Sequence, residues 1–276
     1  MKIFLAAPNG TPASSVWRDN QENPTEAMKI FLAGTYSRPY VATEVDPDNQ
    51  LCVLESFYYI QDWMRPYIRN HWDFLLDSGA FTFMNDEKNA NGVDWDAYLT
   101  KYIKFINDMD IDHFIELDID MVVGLDRVEE LRTRLEAETG KKSIPVWHKS
   151  RGKEYWFKMC EEYDYVAIGG MASNGNFKKK VEGVFPWFLN EARKRGTRVH
   201  ALGYTAPHGM EKHKFYSVDS TAWVYGNRGG YLYKFNGRSM DILRAPKGTR
   251  MTKPRDAAIH NFREWVKYQK YARHNL

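Results

Sequence analysis

Acidic and imidazole side chains recur at one kind of place in this chain, the carboxyl end of a short apolar run. Phe74–Leu76 leads into Asp77-Ser78-Gly79, and His113–Leu117 into Glu116-Leu-Asp118-Ile-Asp120. Ser143–Trp147 ends at His148, Tyr165–Ile168 at Gly169-Gly170, Arg198–Leu202 at Gly203 and Phe215–Val218 at Asp219. A single such Asp would also serve as a turn cap, since Asp and Ser are common turn residues. Acids closing three runs, with a histidine and glycines closing others, are the pattern of strand ends converging on one mouth. Two carboxylates across a pocket suit glycosyl transfer, one attacking the anomeric carbon and the other carrying a proton. Aspartate needs no activation to attack, being ionised near neutral pH. A glycine pair at a strand end lets a flat ligand lie against the backbone. Phe81 and Trp223 have the ring faces to stack on a base, and equally the bulk to pack a core. His148, His200 and Asp219 offer a competing metal-hydrolase reading. Against it, the first run has no His-x-His pair and His200 lies inside its run.

The elements that would position these residues are regular. With Lys29–Ala33 and Cys52–Phe57, the apolar runs make eight candidate strands. Several are continuous, as strands covered on both faces are. Amphipathic helical patterns lie between them. Trp95–Asn107 has Asp94 as cap, Leu125–Glu138 stops at Gly140, and Glu154–Glu162 and Pro186–Arg195 follow. Ser56–Asn70 is read as a helical connection. Eight strands with interleaved helices predict an α/β fold of the (β/α)8 TIM-barrel type. After the eighth strand, Tyr231–Phe235 and Ser239–Leu243 flank Asn236-Gly237, a two-residue hairpin signal. A basic loop over Arg244–Arg255 and a terminal helix over Arg255–Tyr271 close the chain. Met1-Lys-Ile-Phe-Leu-Ala6 recurs as Met28-Lys-Ile-Phe-Leu-Ala33, and only the second copy leads into strands. Residues 1–27 are therefore read as an N-terminal extension, with a true first strand and hairpin partner as the alternative, and 28–276 as one domain, with the hairpin appended at about 231–243.

Bulk composition narrows the classes. The 276 residues can bury a sizeable core. A net charge of +3 from 39 basic and 36 acidic residues leaves nucleic-acid binding to local patches. Two cysteines, Cys52 and Cys160, are too few for a disulfide framework or a four-cysteine zinc site, and a cytoplasmic setting is expected. No apolar run approaches the ~20 residues of a membrane span, and no signal-peptide pattern opens the chain.

Four motifs in order carry a resemblance: Asp77-Ser-Gly-Ala-Phe81, Ala167-Ile-Gly-Gly-Met171, His200-Ala-Leu-Gly203 and Ser217-Val-Asp-Ser220. Over about residues 28–230 the chain resembles the tRNA-guanine transglycosylase superfamily. It is most similar to the short, phage-encoded members that place 7-deazaguanine derivatives in DNA, for which the setting would be the host cytoplasm. The resemblance implies that Asp219 is the nucleophile at C1′ and Asp77 the general acid/base. It implies that Asp118 bonds the Watson–Crick edge of the base, and that Gly170 and Met171 offer backbone contacts. Phe81 and Leu202 would sandwich the ring, and His148 stands near the place of a base-contacting glutamine. Ser78, Gly169 and Gly203 complete the expected substrate-binding set. No cofactor and no metal are expected. The tRNA enzymes carry a three-cysteine, one-histidine zinc site after the last strands. This chain has no cysteine beyond Cys160, so no zinc subdomain is expected and tRNA is the less favoured substrate.

Basic residues gather in loops after the strands. Lys149 and Arg151 (with Lys153), Arg228, Arg244, Lys247 and Arg250 are read as a phosphate track for DNA. Lys178-Lys-Lys180 reads as a solvated surface run. DNA and a 7-deazaguanine base are thus the expected partners, no membrane is, and a second copy or an accessory protein stays open. Exchange on tRNA, a metal-dependent barrel hydrolase and a non-catalytic nucleic-acid-binding barrel are the alternatives.

Overall fold

Each apolar run alternates between two buried faces, which is what forces the strands into a layer covered on both sides. The structure, a computed structural model, describes residues 28–45, 51–84, 92–170, 182–204 and 206–276, without the side chains of Phe81, Met84 and Asn227. The expectations for 1–27, Met171 and Lys178–Lys180 lie outside those residues. The strands are β1 (Lys29–Ala33), β2 (Leu51–Ser56), β3 (Trp72–Asp77), β4 (Val146–Trp147), β5 (Tyr165–Ile168), β6 (Arg198–Ala201) and β7 (Ser217–Ser220). They form one parallel sheet in the order β3-β2-β1-β7-β6-β5-β4. Phe31, Cys52, Leu54, Leu75, Ile144, Val146, Tyr165 and Ala167 share one apolar cluster. Those residues come from both ends of the strand order, so the sheet is curled with that cluster inside. The alternate residues, among them Ile30, Val53, Leu76, Val166 and Val218, pack outward in a second cluster with the helices.

The regular strand expected over His113–Leu117 is corrected. Phe114–Ile115 lies between the two edge strands and joins them by single parallel bridges, Leu76↔Phe114 and Ile115↔Ile144. The ladder is broken for a physical reason. Pro145 has no N–H to give, and the Val146 N–H donates to the Glu116 carboxylate at 2.8 Å rather than to a backbone carbonyl. Glu116 is fully buried and accepts from Arg132 Nη1 (2.9 Å) and Arg151 Nη1 (2.7 Å) as well. Removing one partner of such a buried pair leaves an uncompensated charge. Glu116→Ala is therefore expected to lower the unfolding free energy by about 3–5 kcal/mol in urea melts.

The helices close the outer face much as their patterns predict. Trp95–Met109 begins where Asp94 Oδ1 accepts the Ala97 N–H (3.0 Å), and ends at Asp110 in the left-handed region. Leu125–Thr139 ends at Gly140, Gly152–Glu162 follows β4, and Phe185–Arg195 precedes β6. The connection after β2 is two short 3₁₀ turns and the helix Arg65–Asn70, rather than one long helix. The terminal helix spans Pro254–Asn275. Its Gln269 is tied to the strands, donating to Ile30 O (2.6 Å) and Cys52 O (2.9 Å) and accepting from the Cys52 N–H.

The antiparallel hairpin is β8 (Tyr231–Phe235) with β9 (Met240–Arg244). Phe235 pairs with Met240, so the loop holds Asn236–Ser239 and not two residues. The Asn236 side chain accepts the Arg238 and Ser239 N–H groups at 3.1 and 2.8 Å, which stabilises the wider turn. No helix among the described residues is long and apolar enough to cross a membrane.

Candidate active site

The carboxyl ends of the strands open into one cavity of about 530 Å³. Ala33 of β1 and Gly34 after it, Leu54–Ser56 of β2, Asp77 of β3, and Asp118 and Asp120 beyond the bridged segment line one part. His148 after β4, Gly169 and Gly170 after β5, Leu202 and Gly203 after β6, and Asp219 of β7 line the rest. The volume falls within the ~300–1,000 Å³ of small-ligand sites.

Asp77 ends β3 and turns into Gly79, whose N–H donates to Asp77 Oδ2 at 3.0 Å. Gly79 has φ +83°, and a Cβ there would meet Ser56 Oγ, Tyr98 Oη and Tyr58 Cβ at 2.8–3.0 Å. The turn thus requires glycine on two counts. Burial, then the charge of Asp118 and that of Asp219, push the Asp77 carboxyl up to about 7 against the Gly79 hydrogen bond. Ser56 is in register with Asp77. Its Oγ is buried with no well-formed hydrogen bond among the described residues, yet lies close enough to favour the carboxylate slightly. Ser78 does not line the cavity. Its Oγ accepts the Ala80 N–H and its carbonyl accepts the Tyr98 hydroxyl, so it holds the turn from below.

Asp219 is buried apart from the face it shows the cavity. Its Oδ1 accepts the Gly203 N–H at 2.5 Å and faces His200 Nε2 at 3.3 Å. Asp77 and Asp219 therefore enter one cavity from two strands, separated in the sheet order by β2 and β1.

Asp118 carries His148, with Nε2 3.2 Å from Asp118 Oδ2. Burial opposes charging of the imidazole, but the hydrogen bond and charge of Asp118 outweigh it and raise the His148 pKa. The ring sits directly over Gly169. A Cβ on Gly169 would lie 2.6 Å from His148 Cε1 and 2.8 Å from Val146 Cγ1. Gly169→Ala is expected to push the imidazole off Asp118. Because the added methyl also presses on fully buried Val146, urea melts should show stability lowered by about 1–3 kcal/mol, the usual cost of overpacking a core.

Arg151 is corrected from its expected role. Its guanidinium is buried and bound to Glu116 and to Asp120 Oδ1 (3.1 Å), so it braces the acids instead of facing phosphate. Burial works against ionising Asp120, and Arg151 more than offsets that, lowering its pKa. Lys149, Arg244, Lys247 and Arg250 are exposed outside the cavity, whereas exposed Arg228 lines its rim. Arg244 lies over the Tyr231 ring, 4.9 Å from its centre. Trp223 is fully buried, its Nε1 donating to Ala33 O at 2.8 Å, and belongs to the core. The Phe81 side chain and Met171 lie outside what the structure describes. Among the described residues no three His, Cys, Asp or Glu side chains come together as a metal-ligand set.

The sequence reading missed Glu55, which stood as an acid inside an apolar run. It is buried, and both the Thr35 N–H and the Thr35 hydroxyl bond its Oε1 at 2.5 Å. Burial raises its pKa to about 7 despite those bonds. Also missed were Tyr36, stacked on Tyr59 at 4.2 Å, and the exposed Tyr225 and Met121, all lining the cavity. No protein-family model matches the chain, and no curated protein matches it. Among solved structures, the carboxyl transferase domain of Rhizobium etli pyruvate carboxylase is similar over 98% of this chain and 53% of that one. Identity there is 12% and the TM-score 0.45, and this chain spans about half the length of that one.

Proposed function

We propose that the chain is a base-exchange transglycosylase that replaces guanine in DNA by a 7-deazaguanine derivative through a covalent aspartyl–nucleotide intermediate. The bridged sheet is read as a closed (β/α)8 barrel, with Phe114–Ile115 as its eighth, abbreviated strand. One observation carries the proposal: a single cavity holds both Asp77, raised to about 7, and Asp219, whose Oδ1 accepts the Gly203 N–H and faces His200 Nε2. A carboxyl poised near the working pH suits general acid–base catalysis.

In this mechanism Asp219 attacks C1′ of the nucleotide. The C1′–N bond breaks, its electron pair leaves on guanine, and Asp77 supplies the proton. The incoming 7-deazaguanine gives a proton back to Asp77 and displaces Asp219, which returns the enzyme to its first state. Asp118 accepts from the donor edge of the base while its Oδ2 is engaged by His148. Leu202 and the backbone at Gly169–Gly170 flank the ring. Arg228, which lines the cavity, meets phosphate in this reading, and the target nucleotide reaches the cavity flipped out or single-stranded.

The test is incorporation of radiolabelled guanine into DNA and into tRNA offered separately. Label in DNA, retained after phenol extraction and lost on nuclease digestion, supports the proposal. Label confined to tRNA moves the same chemistry to the other substrate, and label in neither removes it.

A further inference from the structure

Beneath Asp219 lies a line of buried polar groups that the exchange mechanism does not use. His200 Nδ1 is 2.7 Å from Ser217 Oγ, and Ser217 Oγ is 2.5 Å from the Tyr165 hydroxyl. His200 and Ser217 are fully buried and Tyr165 nearly so. All three sit on neighbouring strands, and His200 pairs directly with Ser217 across β6 and β7. An apolar barrel interior holds such groups only if they satisfy one another.

The direction of the line follows from the atoms at its ends. Burial raises the Tyr165 pKa well above its usual range, so the phenol keeps its proton and has one to donate. An ionised carboxylate only accepts. With Tyr165 donating to Ser217, and Ser217 to His200 Nδ1, Nδ1 is an acceptor, so the ring proton sits on Nε2 and is given to Asp219 Oδ1. Phe31 packs edge-on against the imidazole, the ring centres 6.1 Å apart. The Gly203 N–H reaches the same oxygen. Both donors therefore engage Oδ1.

We infer that Tyr165, Ser217 and His200 form a positioning relay that, with the Gly203 N–H, clamps Asp219 by Oδ1 and reserves Oδ2 as the oxygen that bonds C1′. The inference rests on the proposed exchange reaction and deepens it. In the glycosyl ester so formed, Oδ1 is the carbonyl oxygen. When the incoming base takes C1′, the electron pair of the breaking Oδ2–C1′ bond returns to the carboxylate, where the same two donors receive the charge. The three relay residues are positioning residues, since none touches the nucleotide.

The experiment measures guanine exchange in DNA by Ser217→Ala, Tyr165→Phe, His200→Phe and His200→Gln, with thermal midpoints recorded for each. Ser217→Ala is expected to lower kcat about 10–100-fold with KM for guanine within about threefold, as loss of an interaction that matters to the transition state does. His200→Phe is expected to fall further, and His200→Gln, whose amide nitrogen can replace Nε2–H, to recover part of the loss. Wild-type kcat in Ser217→Ala and His200→Phe, or losses that appear only in KM or in the folded fraction, overturn the relay. Should the wild-type protein exchange no guanine at all, the reaction itself is refuted. The relay is then decided by ¹⁵N NMR of labelled histidine. His200 protonated at Nε2, with that signal shifting in Asp219→Asn, sustains the clamp, and protonation at Nδ1 overturns it.

Discussion

Asp219→Asn is expected to abolish base exchange, lowering the rate by about 10⁴-fold or more, as loss of a nucleophile does in covalent enzymes. The size of the effect follows from position. Asp219 reaches the cavity from the end of β7 and is held on one oxygen by Gly203 and His200. An amide in its place keeps the volume but is a far poorer nucleophile. Its carbonyl oxygen can still accept from the Gly203 N–H beside His200, which leaves the NH₂ where Oδ2 stood, with no anionic oxygen to bond C1′. DNA binding should survive within about threefold, because the proposed phosphate contact, Arg228, is a separate side chain at the rim. Filter binding beside exchange assays separates the two effects.

Asp77→Asn is expected to lower exchange by about 10²–10⁴-fold, the usual contribution of a positioned acid or base. It also carries a pH signature. Burial, with the charges of Asp118 and Asp219, holds Asp77 at about 7 in the folded chain against 3.8 ordinarily. Expulsion of guanine needs the protonated acid, so the rate of adduct formation in a single turnover should fall as pH rises through about 7. Uptake of the second base needs the carboxylate, so that half should fall as pH drops through the same range. In Asp77→Asn both limbs should vanish. The same raised pKa acts on stability. The folded state keeps a proton that the unfolded chain releases, so stability present below pH 3.8 is lost as pH rises to about 7, by an amount on the order of 4 kcal/mol. Glu55, raised from 4.5 to about 7, contributes in the same direction. Asp77→Asn should therefore be slower in exchange and, at pH 8, more stable to urea than the native chain. A carboxyl kept at a cost to the fold is what a catalytic function would explain.

The placement of these acids was legible because each closes a continuous apolar run, and such runs leave little choice of strand position. Asp77, Asp118, His148, Gly169, Gly170, Leu202, Gly203 and Asp219 all line the cavity that their strand ends implied. What the sequence could not reveal was direction. Ser78 and Arg151 stand beside site residues in the chain, yet Ser78 turns beneath the turn and Arg151 turns inward to Glu116 and Asp120. Glu116 looked like one more strand-end acid, whereas its carboxylate replaces a rung of the sheet and interrupts the strand that was expected to carry it. Trp223 had the chemistry of a stacking platform and the bulk of a core residue, and bulk won. The relay of Tyr165, His200 and Ser217 depends on the register of three strands separated by long connections, which no local pattern encodes. The cavity's aromatic wall, Tyr36 on Tyr59, likewise joins the loop after β1 to the turn after β2.

The covalent intermediate offers the most direct measurement. The protein is mixed with a guanine-containing DNA oligonucleotide, denatured during turnover, and its intact mass and proteolytic peptides are measured. The proposed chemistry predicts a protein–oligonucleotide adduct lacking one guanine base, mapped to the peptide containing Asp219, discharged by added 7-deazaguanine and absent in Asp219→Asn. Label exchange proceeding with no adduct at any time, or an adduct mapped to Asp77 or any other residue, would contradict it.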